Sequence, residues 1–236
     1  MLRLIFFLCF VTPLLALAED GGTASALLGR VDGNTYLAPS GAFKVSIPVL
    51  PELGGTISDT ENVVTFQDDF NTHISIAAFA QDATQRWELS SRGLKDYLVY
   101  FFSNFVLSDF KQAFEGVQIE SAKFVPALQD GSLITYILVP GGTMFASKIA
   151  SLGTDDKPPV AKRGNLLFVK NGHIFVISIE LAERIIEGRA YKKTTAEEDE
   201  ILRQRLIDVV SRIQLPRPAA PAAAPTTTTT TTAPAK

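Results

Sequence analysis

Thiol chemistry is all but absent from this sequence: among 236 residues the sole cysteine is Cys9. It sits in an apolar N-terminal run whose removal leaves no disulfide, no thiolate metal site and no cysteine nucleophile. That poverty suits an exported chain that needs no oxidative folding. Histidine occurs only as His73 and His173. The local signatures of common enzymes are missing too: there is no Gly-x-Ser-x-Gly elbow, no His-Glu-x-x-His, no Gly-x-x-x-x-Gly-Lys phosphate loop and no Gly-x-Gly-x-x-Gly. No basic stripe is present, which argues against a nucleic-acid partner. Beyond position 18 no apolar run is long enough to cross a bilayer.

Both ends stand apart from the rest. Residues 1–18 combine Arg3, an apolar run from Leu4 to Leu15 and the small-x-small triplet Ala16-Leu17-Ala18. This is the pattern of a secretory signal peptide cleaved after Ala18, and the expected location is periplasmic or secreted. The rival reading, an uncleaved anchor, fits poorly with Pro13 and with so short an apolar run. Without these residues the chain has 21 basic and 25 acidic side chains, net −4. Residues 216–236 contain only Pro, Ala, Thr and two basic residues. Such a stretch cannot bury enough apolar surface to offset its ordering entropy, so a disordered tail is expected, either a spacer or a glycosylated stalk.

Between the ends, residues 19–33 read as a flexible leader and 34–215 as a single domain. Its strongest feature is the stretch 165–180, where two β-branched and aromatic runs flank Asn171-Gly172, a type I′ turn pair. That turn sets Val169 against Ile174, Phe168 against Phe175 and Leu167 against Val176. Both faces of the hairpin are then apolar, so it belongs deep in a sheet covered on both sides.

Other elements follow in order. Phe43, Val45 and Ile47 alternate with polar residues up to Pro48, giving a half-buried strand. Residues 62–67 and 73–80 form a second hairpin around Asp68-Asp69-Phe70-Asn71. Ser90 and Ser91 are candidate N-caps for a helix starting near Arg92, with Leu94, Tyr97, Leu98, Phe101, Phe102 and Phe105 on one face. Residues 109–115 add helix up to Gly116. Residues 117–129 and 132–139 form a strand pair around Asp130-Gly131, anchored by Ile119 and Phe124. Residues 151–163 read as a polar loop. The last helix spans 195–214, opening on a Thr195–Glu198 capping box, with Leu202, Leu206, Val209, Val210 and Ile213 inward. Strands, helix, strands and a terminal helix give α+β: an antiparallel β-sheet sandwiched by helices.

This order, with Tyr36 followed by Gly41-Ala42-Phe43-Lys44-Val45-Ser46-Ile47-Pro48 and a late strand pair leading into a Thr-x-x-Glu helix, resembles the PsbP family. That family is named for the extrinsic P subunit of photosystem II and shares its fold with the yeast Ran-binding Mog-type protein. The resemblance covers about residues 34–215. It implies a small non-enzymatic protein that binds or stabilises a partner complex.

Residue by residue, chemistry is thin. His73 beside Asp68/Asp69 would need a convergent geometry to ligate or catalyse. His173 faces Lys170 at a hairpin tip, where solvent is the usual neighbour. Asp155-Asp156 could offer oxygens to a cation but lack further spaced donors. The acids at 197–199 are better placed for helix capping than for acid–base work. No catalytic, cofactor-binding or metal-binding residue is assigned, and no cofactor is expected. The expected function is an exported non-catalytic binding or assembly-support protein of the bacterial cell envelope, with a protein partner meeting a sheet edge or the loops at 49–60 and 151–163. The alternatives are an exported hydrolase with a dispersed site and an envelope-anchored structural protein.

Overall fold

The computed structural model describes residues 26–145 and 158–216. The leader pattern at 1–18, the Asp155-Asp156 pair, most of the loop at 151–163 and the tail past Pro216 lie outside them.

Asn171 and Gly172 both have positive φ, 50° and 72°, as the hairpin turn requires. They join β9 (Val160–Lys170) to β10 (His173–Glu180) in the expected register, with Phe168 opposite Phe175 and Leu167 opposite Val176. The Phe168 and Phe175 rings stack at 4.8 Å. Around this hairpin lie β4 (Thr56–Asp59), β5 (Val63–Gln67), β6 (His73–Ala80), β7 (Gln118–Val125) and β8 (Ser132–Pro140). The seven strands run in the order β4-β5-β6-β10-β9-β8-β7, every neighbour antiparallel. The fold is α+β, and helices cover both faces of its large sheet.

The two faces are covered differently. Leu167, Val176 and Ala77 point towards α1 (Ala83–Arg92), α2 (Leu94–Phe101) and α3 (Leu107–Ala113). Phe168, Phe175 and Ile76 point towards the C-terminal helix (Thr195–Arg212). That second face is shared with a small sheet in the order β1-β2-β3-β11, formed by Arg30–Asp32, Thr35–Leu37, Lys44–Ser46 and Ile213–Gln214. The stretch read as a loose leader thus supplies β1, and the helix read to 214 ends at Arg212. The C-terminal helix lies directly on backbone: a Cβ added at Gly164 would come 3.1 Å from Leu202 and Leu206 atoms.

Four other expectations change. The first helix starts at Ala83, because Asp82 accepts the Gln85 amide at 2.7 Å. Ser90 and Ser91 instead bond back to the Trp87 carbonyl in its last turn, and Gly93 at φ 75° ends it. The β7–β8 connection runs through six residues, 126–131, since Val125 already pairs with Ser132. Ile119 is no anchor. It is 46 % exposed on edge strand β7, beside a register shift between Ile119 and Ser121. The capping box is Thr194–Glu197, one residue earlier than read, and it frees Glu198 for the interior.

Replacing Phe168 by Ala removes half of the central stack and leaves a cavity in a face that cannot close over it. Urea denaturation is expected to show a loss of about 3–5 kcal/mol.

Candidate functional site

Strand pairing brings five polar side chains into one row across the apolar sheet. Thr65 pairs with Ser75, Ser75 with Ser178, Ser178 with Asn165, and Asn165 with Thr135. All five face α1–α3, because each shares strand parity with inward residues of that face. The next row carries His73, Glu180 and Arg163, with Glu180 opposite Arg163. Asn165 and Glu180 are fully buried, and Arg163 is 3 % exposed.

Arg163 and Glu180 satisfy one another. The guanidinium donates to the Glu180 carboxylate at 3.3 Å and to the Gly142 carbonyl at 2.8 Å, and it lies 5.3 Å from the Phe110 ring centre. Glu180 also accepts from the Thr143 hydroxyl and the Met144 amide, so it pins residues 142–144 to the sheet. Burial lowers the Arg163 pKa while Glu180 opposes that shift.

Above the row the helix changes pitch. Phe102–Val106 forms a π-helical turn, closed by the Leu107 amide bonding the Phe102 carbonyl five residues back. The sequence reading continued one 3.6-residue face through Phe105. The extra residue in the π turn leaves Phe105 half-buried and brings Val106, Asp109 and Phe110 over the polar row. Between helix and sheet is a cavity lined by Val63, Thr65, His73, Ser75, Asp109, Asn165 and neighbours.

Among the described residues two buried oxygens there lack a hydrogen-bond partner, Asp109 Oδ2 and Asn165 Oδ1. Burial pushes the Asp109 carboxyl up to about 6. Burial, then the Arg163 charge, drives His73 down to about 3, so its imidazole is neutral at physiological pH. Among the described residues no side-chain hydrogen bond joins His73 to Asp109 or Ser75, the contact a base and nucleophile need.

The opposite face holds a second charged cluster. Lys162, fully buried, pairs with Glu120 of β7, with Asp199 at 2.6 Å and with Glu198 at 3.1 Å. Arg184 adds a bond to Glu198 at 2.7 Å. Burial pulls the Lys162 pKa down, but bonds to Asp199, Glu120 and Glu198 outweigh it and leave the pKa raised. The segment read as loop up to Arg163 is strand from Val160, and its alternation sends Lys162 and Arg163 to opposite faces. Of the acids at 197–199, only Glu197 caps the helix.

The remaining candidates are placed as follows. Asp68 accepts the amides of Phe70, Asn71 and Thr72, each at 2.9 Å, so it is spent on its own turn rather than on His73. His173 faces Lys170 as expected, with its Nδ1 3.0 Å from the Asn171 carbonyl oxygen. Among the described residues no group of three or more His, Cys, Asp or Glu could hold a metal ion. No helix among them is long and apolar enough to cross a membrane.

No protein-family model and no curated protein sequence matches this chain. Among solved structures it is similar to the cyanobacterial PsbP protein CyanoP of Synechocystis: TM-score 0.47, 13 % identity, over 84 % of this chain and 98 % of that one. It is also similar to the Ran-binding protein Mog1p of Saccharomyces cerevisiae: TM-score 0.46, 11 % identity, over 80 % of this chain and 96 % of that one. A protein of Bacteroides thetaiotaomicron gives TM-score 0.38 and 13 % identity, over 80 % of this chain and half of its own length. The likeness is a weak one of fold, of the PsbP-like kind.

Exchanging Lys162 for Met leaves three carboxylates facing one another around a single remaining arginine. A loss of about 3–5 kcal/mol in denaturant unfolding is expected. A second expectation concerns pH. The folded state holds His73 neutral well below the 6.5 of the unfolded chain, so stability falls as pH drops from 6.5 towards about 3. Asp109, raised to about 6, acts in the opposite sense over its own window. Across the acid range, urea midpoints of His73→Leu are therefore expected to fall less than those of the parent.

Proposed function

We propose that this chain is an exported, non-catalytic binding or assembly-support protein of the bacterial cell envelope. The export reading draws on the charge, apolar run and small-x-small pattern of residues 1–18. The binding reading rests on one geometric observation. At one end of the large sheet, two connections meet and hold apolar side chains outward.

A 3₁₀ turn, Pro51–Leu53, follows Leu50. The Leu50 carbonyl accepts the Leu53 and Gly55 amides at 3.0 and 2.9 Å. The neighbouring β5–β6 turn is wound tightly on Asp68, and the Asp69 amide donates to the Leu53 carbonyl at 3.2 Å. These bonds keep Leu50, Leu53 and Phe70 exposed by 49, 40 and 55 %. An aromatic and two leucines held by backbone bonds lose little entropy on docking, which is the economy a binding surface needs. The loop at 49–60 is also one of the two that the sequence marked for binding.

A hydrolase reading draws on His73, Ser75 and Asp109 sharing one cavity. It lacks a base–nucleophile contact, and the buried imidazole is a weak base.

The test is a tagged full chain cross-linked in envelope extracts, compared with the Leu50→Asp/Phe70→Asp double variant. A stoichiometric partner is expected with the parent, with recovery at least tenfold lower for the variant at an unchanged melting temperature. Equal recovery by both proteins would rule out this surface. No partner, together with turnover of a substrate panel that His73→Ala abolishes, would install the hydrolase reading.

A further inference from the structure

We propose that the cavity between α3 and the polar row is a binding site for a small primary ammonium group. This goes beyond the docking surface and does not rest on it.

The wall chemistry selects the ligand class. Asn165 is fully buried, yet among the described residues its Oδ1 meets no donor, and neither does Asp109 Oδ2 across the cavity. Buried acceptors left open cost free energy unless a donor arrives. The hydroxyls of Thr65, Ser75 and Ser178 line the same space and can each accept a further bond. A group rich in donors and poor in acceptors answers this wall.

Charge narrows the choice between hydroxyl and ammonium. Four ionisable groups face the cavity or border it: His73 from β6, Arg163 from β9, Glu180 from β10 and Asp109 from α3. Arg163 is ion-paired with Glu180, and burial together with the Arg163 charge holds His73 neutral. Among the described residues that leaves Asp109 as the unbalanced charge, and burial accounts for the rise in its carboxyl to about 6. At neutral pH these four groups sum to −1, and a ligand cation beside Asp109 supplies the missing counter-charge.

Size and shape fix the rest. The free volume is about 40 Å³. One water needs roughly 10–15 Å³ on the same measure, so the space holds about three water-sized groups. Val106, Phe110 and Val176 supply an apolar wall for a short alkyl stem. A nitrogen and two carbons fill the volume. The π turn gives independent support: such turns mark functional sites, and this one brings Asp109 and Phe110 over the polar row.

Ethylammonium is the probe, titrated into the full chain at slightly alkaline pH and followed by amide chemical shifts. Three heavy atoms limit the affinity to roughly millimolar, so the titration covers that range. Saturable shifts are expected around Val106, Asp109, Phe110, Asn165 and Ser178. Ethanol, neutral and equal in heavy atoms, is expected to bind at least tenfold more weakly. Asp109→Asn keeps the shape, removes the charge and is expected to weaken ethylammonium by a similar factor with the rest of the spectrum unchanged. No saturable shift, or equal binding of ethanol and ethylammonium by the parent, overturns the proposal without reliance on any variant. Co-sedimentation with phosphatidylethanolamine but not phosphatidylcholine vesicles assigns the ammonium to a lipid headgroup. Binding of ethylammonium without vesicle binding assigns it to a free amine.

Discussion

Two adjacent basic residues at the centre of a doubly covered sheet govern this structure. Strand alternation forces Lys162 and Arg163 to opposite faces, and both side chains are buried. Each charge must then be met where it lies, because an unpaired buried ion costs several kcal/mol. On one face Lys162 gathers Glu120 from the edge strand and Glu198 and Asp199 from the C-terminal helix. On the other, Arg163 meets Glu180, which in turn holds residues 142–144. The position of the C-terminal helix, the closure of the sheet edge and the path of the chain after β8 all answer to β9. These ion pairs fix one arrangement of the layers; apolar packing supplies most of the attraction between them.

Much of this was legible because it is local. Asn171-Gly172 set the register of the central hairpin, and the two-sided apolar pattern placed it inside. The aromatic face from Leu94 to Phe105 and the stripe from Leu202 to Val210 announced the helices on either side. What escaped depends on contacts distant in sequence. Lys162 and Arg163 look like a polar loop until Glu198 and Glu180 are brought against them. Glu198 looks like a cap residue because Thr195 stands three positions before it, while Thr194 with Glu197 fits equally well. Ile119 has strand-core chemistry, but only the strand order shows that β7 is an edge.

The polar row was half visible. Asn165 and Ser178 sit opposite one another in the register the turn dictates, so one polar pair could have been read from the hairpin alone. Adding Ser75, Thr65 and Thr135 requires the order of strands that no local pattern contains. The π turn is equally silent in sequence, since a run of Phe, Ser, Asn, Phe and Val is compatible with ordinary helix. Its effect is large: one inserted residue rotates the following helix so that an acid, Asp109, faces the covered sheet instead of solvent. That juxtaposition is a conflict between local chemistry and fold, the kind that proteins retain where it serves a purpose.

One last consequence belongs to the outer strand β7. An open antiparallel sheet exposes ladder groups at its margins, and a long margin invites a neighbouring molecule to extend it. Here the opposite margin, β4, is only four residues long. The eight residues of β7 are broken by the irregularity between Ile119 and Ser121, and the intervening Glu120 is drawn under the sheet by Lys162. An ion pair that steadies the interior thereby spoils part of the template along which a further strand would add.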